Sequence, residues 1–593
     1  MLTKISKERF WFVNLFIFLI FPLIGFQLIR LALSREGALV HLGERQHNLL
    51  IEIPAKRGSI LDRNQKEFAM NLKVPSIYAV PRLIDEKKEL GQTLSKILGK
   101  DQAFLMERLN RNKAFVWLKR GATQKEAEDI QQLKDSTVGI LYENRRFYPH
   151  AELFANVMGF CNIDNEGIEG IEMVYDKYLK GRPGYRVTKR DALGREVVAF
   201  EEKFIPAFDG ADLVLTIDHF IQYLTERSLD ETFRKYKAKG AMAIVMNPKT
   251  GEILAMASRP TFDPNHVAGN NPELLRNRTL TDIFEPGSVF KMITASAALA
   301  ERKVSLTDKF NCENGEWHIG KKRVIHDVHP HGILTFPEVI ENSSNIGTVK
   351  IGMKLGEELL YSYCRRFGFG QLTGIDLPGE VAGILHPLSK WSRVSITSVP
   401  YGQEVSATAL QMVTAVSVIA NGGRLMQPYM INEIRDKSGV VIKKTLPVVR
   451  TVVLQPEIAA TMNNILQLVV ESGTGKAAQI EGIKVAGKTG TAQKIENGTY
   501  SHSHFISSFI GYAPADDPKL AMIVAVDDPR GAYYGGVVAA PVFKEVIQGS
   551  LINMGYAPPN TKETTPLGTV SSKDSGKRAA INDLKTIPPR PAI

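Results

Sequence analysis

At 593 residues the chain is too long for one ordinary domain of roughly 100–200 residues, so at least two folded units are predicted. Its residues are 44% hydrophobic and 23% charged, which is typical of globular protein and excludes a mostly disordered, collagen-like or polytopic membrane chain. The formal net charge of +11 comes from Lys and Arg spread along the sequence, which argues against nucleic acid as a partner.

The first predicted element is a membrane-spanning helix. No residue from 10 to 29 is charged, and about 20 apolar positions suffice to cross roughly 30 Å of hydrocarbon. A cleaved signal peptide is the alternative, but its apolar core usually runs about 7–15 residues. We predict a retained anchor at 10–30 in the inner (plasma) membrane, with residues 1–9 cytoplasmic by the positive-inside tendency. The basic residues that support this orientation are Lys4, Lys7 and Arg9.

Residues 31–210 follow the anchor and contain short alternating apolar segments with Gly and Pro between them. This pattern predicts an elongated, strand-rich stalk domain. The chain has only three cysteines, so no disulfide framework is indicated, and we expect them to pack as small hydrophobic residues.

A second domain is predicted over residues 211–555. It opens with a strand at 213–217, a helix capped by Asp218, and a hairpin whose strands lie near 243–246 and 253–256. Helical periodicity then dominates, and three further strands follow between 484 and 526. This order predicts an α+β fold in which an antiparallel sheet carries helices on both faces. Residues 556–593 are rich in Pro, Ser, Thr and Lys and are predicted to form a disordered tail.

Ser288 is the first candidate catalytic residue. It follows a Pro-Gly turn and begins a segment rich in helix formers, which places it at a helix N-terminus where backbone amides could stabilise an oxyanion. Lys291 lies one turn further on the same face and could accept the serine proton if burial lowered its pKa. A single Ser-x-x-Lys spacing is common by chance, so this pair is weak when taken alone.

Two further groups strengthen the hypothesis. Ser343 and Asn345 form a Ser-x-Asn triplet in a polar break of the helical block, where a hydroxyl could relay a proton and a carboxamide could orient a substrate amide. By itself this triplet is ordinary helix-cap chemistry.

Lys488, Thr489, Gly490 and Thr491 form the third group, on a predicted strand. The glycine would admit a substrate backbone, while the lysine and the two hydroxyls could bind a carboxylate. All three groups in this order are far less probable by chance than any one of them.

The ordered set Ser-x-x-Lys, Ser-x-Asn and Lys-Thr-Gly resembles that of penicillin-binding proteins and serine β-lactamases. The resemblance to class B penicillin-binding proteins runs from the anchor to about residue 553. Two stalk segments, 57–64 and 167–172, look like signatures of that class. The Ser-Ser-Asn form of the second group and the segment 533–543 favour its division-specific members.

The resemblance implies the role of each residue. Ser288 would be the acylated nucleophile, Lys291 its base, Ser343 and Asn345 a proton-relay and orienting pair, and Lys488 a cation that faces the substrate carboxylate. The substrate-binding residues would be Thr489, Gly490 and Thr491. The backbone amides of Ser288 and Thr491 would form the oxyanion hole.

The implied activity is a peptidoglycan D,D-transpeptidase that cross-links stem peptides ending in D-Ala-D-Ala and is acylated by β-lactams. No cofactor and no metal are needed for this chemistry. The implied partners are the membrane, a SEDS-type glycosyltransferase and other division proteins, at the division septum and with the catalytic domain outside the cytoplasm.

Several alternatives remain at this point. An elongation-type class B protein would differ only in its cellular role. A β-lactamase would lack the anchored stalk. A β-lactam-sensing receptor would need several membrane spans or a cytoplasmic output domain, and a non-catalytic division scaffold would not need all three groups intact. The segment 326–331 is rich in His and contains an Asp, but a loop is the better interpretation than a metal site.

Overall fold

The computed structural model of the chain describes residues 2–33, 48–190, 196–197, 203–267, 269, 271–320, 323–496 and 498–556. Nearly all of the tail predicted at 556–593 therefore lies outside the described residues, as does part of the 31–210 segment.

The N-terminal helix α1 (Leu2–Leu33) contains the predicted anchor. Its segment Arg9–Arg30 has a mean hydropathy of 2.4 and is not buried against any other part of the described chain. At 1.5 Å per residue this segment is about 33 Å long, enough to cross a bilayer. Among the described helices it is the one long and apolar enough to do so, which fits a single-pass membrane protein.

The stalk combines strands with short helices, and the helices were not anticipated from the sequence. The amphipathic helices and the long strand β3 (Glu67–Ala79) bury their apolar sides in a small separate core around Leu94, Leu105 and Ile130. The strands are β1 (Asn48–Ile53), β2 (Ile60–Leu61), β3 (Glu67–Ala79), β4 (Val116–Lys119), β5 (Val138–Phe147), β6 (Gly184–Arg190), β7 (Glu196–Val197) and β8 (Lys203–Ile205). The helices are α2 (Lys87–Leu98), α3 (Gln102–Leu109), α4 (Gln124–Gln132), α5 (Ala155–Met158), α6 (Gly170–Val174) and α7 (Asp176–Leu179).

A group of buried charges joins distant parts of the stalk. Glu172 is fully buried and accepts hydrogen bonds from Arg57 Nε at 2.8 Å and Arg146 Nε at 2.5 Å, while Arg57 Nη1 also pairs with Asp176 at 2.6 Å. Burial opposes the ionisation of Glu172, but the two guanidinium groups hold its pKa below the usual range. The two stalk segments singled out in the sequence therefore meet in space through Arg57 and Glu172. We call Arg57, Arg146, Glu172 and Asp176 the stalk charge cluster.

The second domain is built on a five-stranded antiparallel sheet in the order β11-β10-β24-β23-β22, as the predicted strand order requires. These strands are β10 (Gly240–Met246), β11 (Ile253–Arg259), β22 (Ala486–Glu496), β23 (Thr499–Ala513) and β24 (Leu520–Asp527). The first two and the last three segments of the domain thus meet in one sheet, with β22 at its edge.

Successive side chains of β10 point to opposite faces of this sheet, and both faces are apolar. Met242, Ile244 and Met246 enter the large central core, whereas Ala241, Ala243 and Val245 enter a second core. The helices α8 (His219–Lys235) and α18 (Ala540–Asn553) cover the second face, and α15 (Ala409–Ala420) covers the first. The result confirms the predicted α+β sheet with helices on both faces.

A separate seven-stranded sheet links the two domains. The strands β9 (Asp212–Leu215) and β19 (Ile431–Arg435) pair with each other, β9 runs parallel to β2 of the stalk, and β20 (Val441–Lys444) extends the outer edge. Gly58 is required at this junction, since a Cβ there would lie 1.8 Å from the Ala211 carbonyl oxygen.

The remaining elements of the second domain are helices and short strands that form two-stranded sheets. The helices are α9 (Pro272–Leu275), α10 (Arg278–Thr281), α11 (Lys291–Ala300), α12 (Phe336–Glu341), α13 (Asn345–Leu355), α14 (Glu357–Arg366), α16 (Pro456–Glu471) and α17 (Gly535–Val538). The strands are β12 (Lys309–Asn311), β13 (Glu316–Ile319), β14 (Arg323–His326), β15 (Ile333–Thr335), β16 (Ile384–Leu385), β17 (Val405–Ser406), β18 (Arg424–Met426) and β21 (Val449–Val452).

Candidate active site

Ser288 lies on a single turn of 3₁₀-helix (Gly287–Phe290) that leads directly into α11. This turn packs on the edge strand β22, and Gly287 has φ +57°, which favours glycine. A Cβ at Gly287 would also approach the Cβ of Ala492 at 3.2 Å. Ser288 is half-buried and its side chain faces the cleft described below.

Lys291 is completely buried and lies at the start of α11, three residues after Ser288. Its Nζ donates to the backbone carbonyl of Ser343 and, at 3.1 Å, to Ser343 Oγ. Burial lowers the pKa of Lys291 to about 7, against a smaller opposing effect of the Asp327 carboxylate. Within the described part of the chain Lys291 has no hydrogen bond to Ser288; such bonds commonly tighten only when substrate is bound.

The triplet Ser343-Ser344-Asn345 forms the turn between α12 and α13. Ser343 has φ +59°, a conformation that costs free energy for a residue with a side chain and that turns its carbonyl towards Lys291. Ser344 caps α13 by accepting a hydrogen bond from the Gly347 amide at 2.9 Å. Asn345 Nδ2 donates to the carbonyl of His326 at 2.7 Å, so its amide is anchored to β14 rather than to Lys291.

Asp327 holds this turn in place. Its carboxylate accepts hydrogen bonds from Ser344 Oγ at 2.6 Å, from the Ile346 amide at 3.0 Å and from the Asn345 amide. The sequence had drawn attention to Asp327 only as a possible metal ligand. Among the described residues no three His, Cys, Asp or Glu side chains are arranged to hold a metal ion.

The Lys-Thr-Gly-Thr segment lies on the edge strand β22. Lys488 is fully buried, and burial together with the charge of Lys291 holds its pKa well below the usual range. Thr489 Oγ1 lies 2.8 Å from Thr474 Oγ1, and Thr491 Oγ1 accepts from the Gly535 amide at 3.1 Å. Gly490 must lack a side chain, because a Cβ would lie 2.4 Å from Ser508 Oγ.

These groups meet at one cleft with a volume of about 630 Å³. Ser288, Ser343, Asn345, Thr489 and Thr491 line it. Lys291 and Lys488 are fully buried and do not line it, although the Lys291 amine contacts Ser343. The structure therefore brings together the three groups that were separate in the sequence.

Aromatic rings form one wall of this cleft. Phe505 stacks on Tyr533 with ring centroids 4.3 Å apart, and Tyr533 contacts Tyr534 at 4.5 Å. The sequence singled out the two tyrosines only as a subclass feature, and nothing in it indicated that Phe505 would join them. Thr474 and Glu285, which also line the cleft, were missed as well.

The arrangement supports acyl transfer to a serine. Ser288 lies one turn before a lysine whose pKa of about 7 leaves much of its amine neutral at physiological pH. The Thr489 and Thr491 hydroxyls on the edge strand can bind the carboxylate of a substrate that lies along β22. Lys488 was predicted to face this carboxylate, but its side chain is fully buried and does not line the cleft.

Comparison with known families assigns both domains. Residues 241–548 match the penicillin-binding protein transpeptidase domain, and residues 52–215 match the penicillin-binding protein dimerisation domain. Together the two matches cover the stalk and the sheet domain.

Relatives extend the match over nearly the whole chain. Stage V sporulation protein D of Bacillus subtilis is 37% identical over 93% of this chain and 86% of its own length. The peptidoglycan D,D-transpeptidase FtsI of Escherichia coli K12 is 33% identical over 88% of this chain and 87% of its own. Penicillin-binding protein 3 of Mycobacterium tuberculosis, solved in complex with aztreonam, superposes with a TM-score of 0.67 at 28% identity and covers 87% of this chain and 100% of its own.

The chain belongs to the class B penicillin-binding proteins. It is a peptidoglycan D,D-transpeptidase that acts on stem peptides and binds β-lactams.

Proposed function

We propose that Ser288 is the acylated nucleophile of this transpeptidase and that Lys291 is its base. The observation that carries the assignment is the cleft that Ser288 and Ser343 share, together with the buried Lys291, whose pKa is about 7 and whose amine contacts Ser343. Ser343 touches the Lys291 amine at 3.1 Å and would relay the proton to the leaving group, while Asn345 would orient the substrate amide.

The remaining residues would bind the substrate. Lys488, Thr489 and Thr491 would hold its terminal carboxylate, and Gly490 would let its backbone approach β22. The backbone amides of Ser288 and Thr491 would stabilise the oxyanion.

In the proposed reaction, Ser288 Oγ attacks the carbonyl carbon of the penultimate D-alanine, and the terminal D-alanine leaves with the serine proton. An amine of a neighbouring stem peptide then displaces Ser288 and forms the cross-link. A β-lactam acylates the same oxygen, and its ester persists.

The proposed cellular role is septal wall synthesis during division, with a SEDS-type glycosyltransferase and other division proteins as partners. Similarity to FtsI and the Ser-Ser-Asn form of the second group support this role. The proposed topology places residues 1–9 in the cytoplasm, the anchor at 10–30, and the stalk (31–210) and transpeptidase domain (211–555) outside. The basic residues before the anchor support this orientation.

The nucleophile is tested by labelling membranes with a fluorescent penicillin. Wild-type protein should carry a covalent label that survives denaturation, and Ser288→Ala should carry none. A label of equal intensity on the variant would contradict the assignment.

The cellular role is tested by imaging a fluorescently tagged full-length chain in dividing cells. Septal synthesis predicts signal concentrated at midcell during constriction. Uniform side-wall signal would instead favour an elongation role, and signal confined to sporulating cells would match the name of the Bacillus relative.

A further inference from the structure

We infer that Glu285 binds the ammonium group of the acceptor stem peptide, the co-substrate that releases the acyl group from Ser288. This inference rests on the proposed role of Ser288 and adds a subsite for the second half of the reaction.

Glu285 has a distinctive place in the cleft. Among the described residues that line it, Glu285 is the only one with a carboxylate, and none is a lysine or an arginine. It lies three positions before Ser288, on the turn that presents the nucleophile. The cleft therefore carries one negative charge near the nucleophile.

The hydrogen bonds of Glu285 leave half of its carboxylate unoccupied. Its Oε1 accepts from the Glu404 amide at 2.8 Å and from the Tyr500 hydroxyl at 3.3 Å. Within the described ranges Oε2 has no hydrogen-bond partner, and the carboxylate has no ion pair. Burial raises the pKa of Glu285, so its charge is held in the cleft at a cost in free energy. A cation that enters the cleft would remove that cost.

The two halves of the reaction require opposite charges. The donor stem ends in a carboxylate, for which the structure offers the Thr489 and Thr491 hydroxyls on the edge strand. The acceptor arrives with a primary ammonium group, for which the lining residues offer only Glu285. Tyr401 and Gln403 lie on the same polar part of the wall and would surround the incoming group.

The proton balance of the step is simple. The acceptor ammonium gives one proton to the Glu285 carboxylate, which later releases it to water. The neutral amine forms a C–N bond to the acyl carbon, the C–Oγ bond of Ser288 breaks, and the second proton lost by the nitrogen passes through Lys291 to Ser288 Oγ. The amide, the free serine and the original carboxylate result.

The test measures how the acyl-enzyme partitions between water and an added acceptor, which is either an amine or an alcohol. Purified full-length chain in detergent is given an N-acyl-D-alanyl thioester donor with glycinamide, which carries an ammonium group, or methanol, which is neutral. We expect Glu285→Gln to lower the ratio of aminolysis to hydrolysis about tenfold, equivalent to about 1.4 kcal/mol. Methanolysis and the rate of acylation by benzylpenicillin should stay within about twofold, because neither involves a cation.

Two variants serve as controls. Glu404→Gln removes a nearby carboxylate that accepts a hydrogen bond from Ser395 Oγ at 2.6 Å and does not line the cleft, so it should leave the ratio unchanged. Glu285→Asp keeps the charge and should fall between wild type and Glu285→Gln. An unchanged glycinamide ratio, or an equal loss with methanol, would overturn the inference. A wild-type chain that bound no penicillin would overturn the role of Ser288 first, and this inference with it.

Discussion

The stalk and the catalytic cleft both have buried ionisable side chains, but these side chains form ion pairs in the stalk and not at the cleft. In the stalk charge cluster, two guanidinium groups surround the fully buried Glu172 at 2.5 and 2.8 Å. In the cleft, Lys291 and Lys488 are equally buried, and among the described residues neither has a carboxylate as an ion-pair partner.

This difference separates a structural cluster from a reactive one. Matched charges in the stalk fix three distant segments of chain and keep Glu172 ionised. Unmatched lysines in the cleft have lowered pKa values, which is what a lysine needs in order to accept a proton at neutral pH. The stalk cluster should therefore govern stability, and the lysine pair should govern activity.

Removing the amine of Lys291 should have the largest effect on activity. Lys291→Met keeps the length of the side chain and removes the base, so acylation by benzylpenicillin should fall about 10³-fold. Stability should change little, because the loss of the two hydrogen bonds to Ser343 is offset by removal of a buried amine that has no carboxylate partner among the described residues. Mass spectrometry of the acyl-enzyme and urea unfolding measure the two quantities. A variant that loses stability but keeps its acylation rate would show that Lys291 serves stability and not activity.

Glu172→Gln should have the largest effect on stability. Without the carboxylate, Arg146 loses its buried counter-charge and Arg57 keeps only Asp176, so we expect a loss of about 3–5 kcal/mol in the free energy of unfolding. Folded variant should still be acylated by penicillin at low temperature at nearly the wild-type rate. Urea unfolding followed by circular dichroism measures the loss, and an unchanged free energy of unfolding would show that the cluster is not structural.

Asp327→Asn should change the pH dependence of acylation. If Lys291 is the base, as proposed, its neutral amine is the active form, so the rate in wild type should rise with pH through about 7. The Asp327 carboxylate favours the protonated amine and raises its pKa, so its removal should move the midpoint to lower pH. Asp327→Glu keeps the charge and should keep the midpoint. Stopped-flow acylation measured from pH 5 to 9 tests this, and a midpoint that moved upward would contradict it.

Much of the fold could be predicted because it depends on local patterns. The hairpin at 243–256, the cap at Asp218 and the three late strands follow from turn residues and short-range periodicity, and each is present. The helices α2 to α4 of the stalk were missed, because their short amphipathic segments lie among strands and loops in the sequence.

The site could be predicted only in part, because its contacts are long-range. Spacing alone indicated Ser288, Ser343 and Lys488, but the partners of these residues depend on how loops fold back. The return of β14 brings Asp327 to the Ser343 turn, and the hairpin of β22 and β23 brings Tyr500 to Glu285. Such contacts between residues far apart in the chain cannot be predicted from the periodicity of the sequence.

The smallest expected effect on stability is at an exposed ion pair of the stalk, which can be compared with the buried cluster. Glu107 and Arg111 pair at 2.6 Å on the surface of the stalk, with side chains that are 62% and 43% exposed. Water solvates both groups whether or not they touch, so Glu107→Gln should leave the free energy of unfolding unchanged within error. The same urea titration applied to Glu107→Gln and Glu172→Gln then compares one substitution at two depths. Equal losses at both positions would mean that burial does not determine how strongly a charge pair stabilises this stalk.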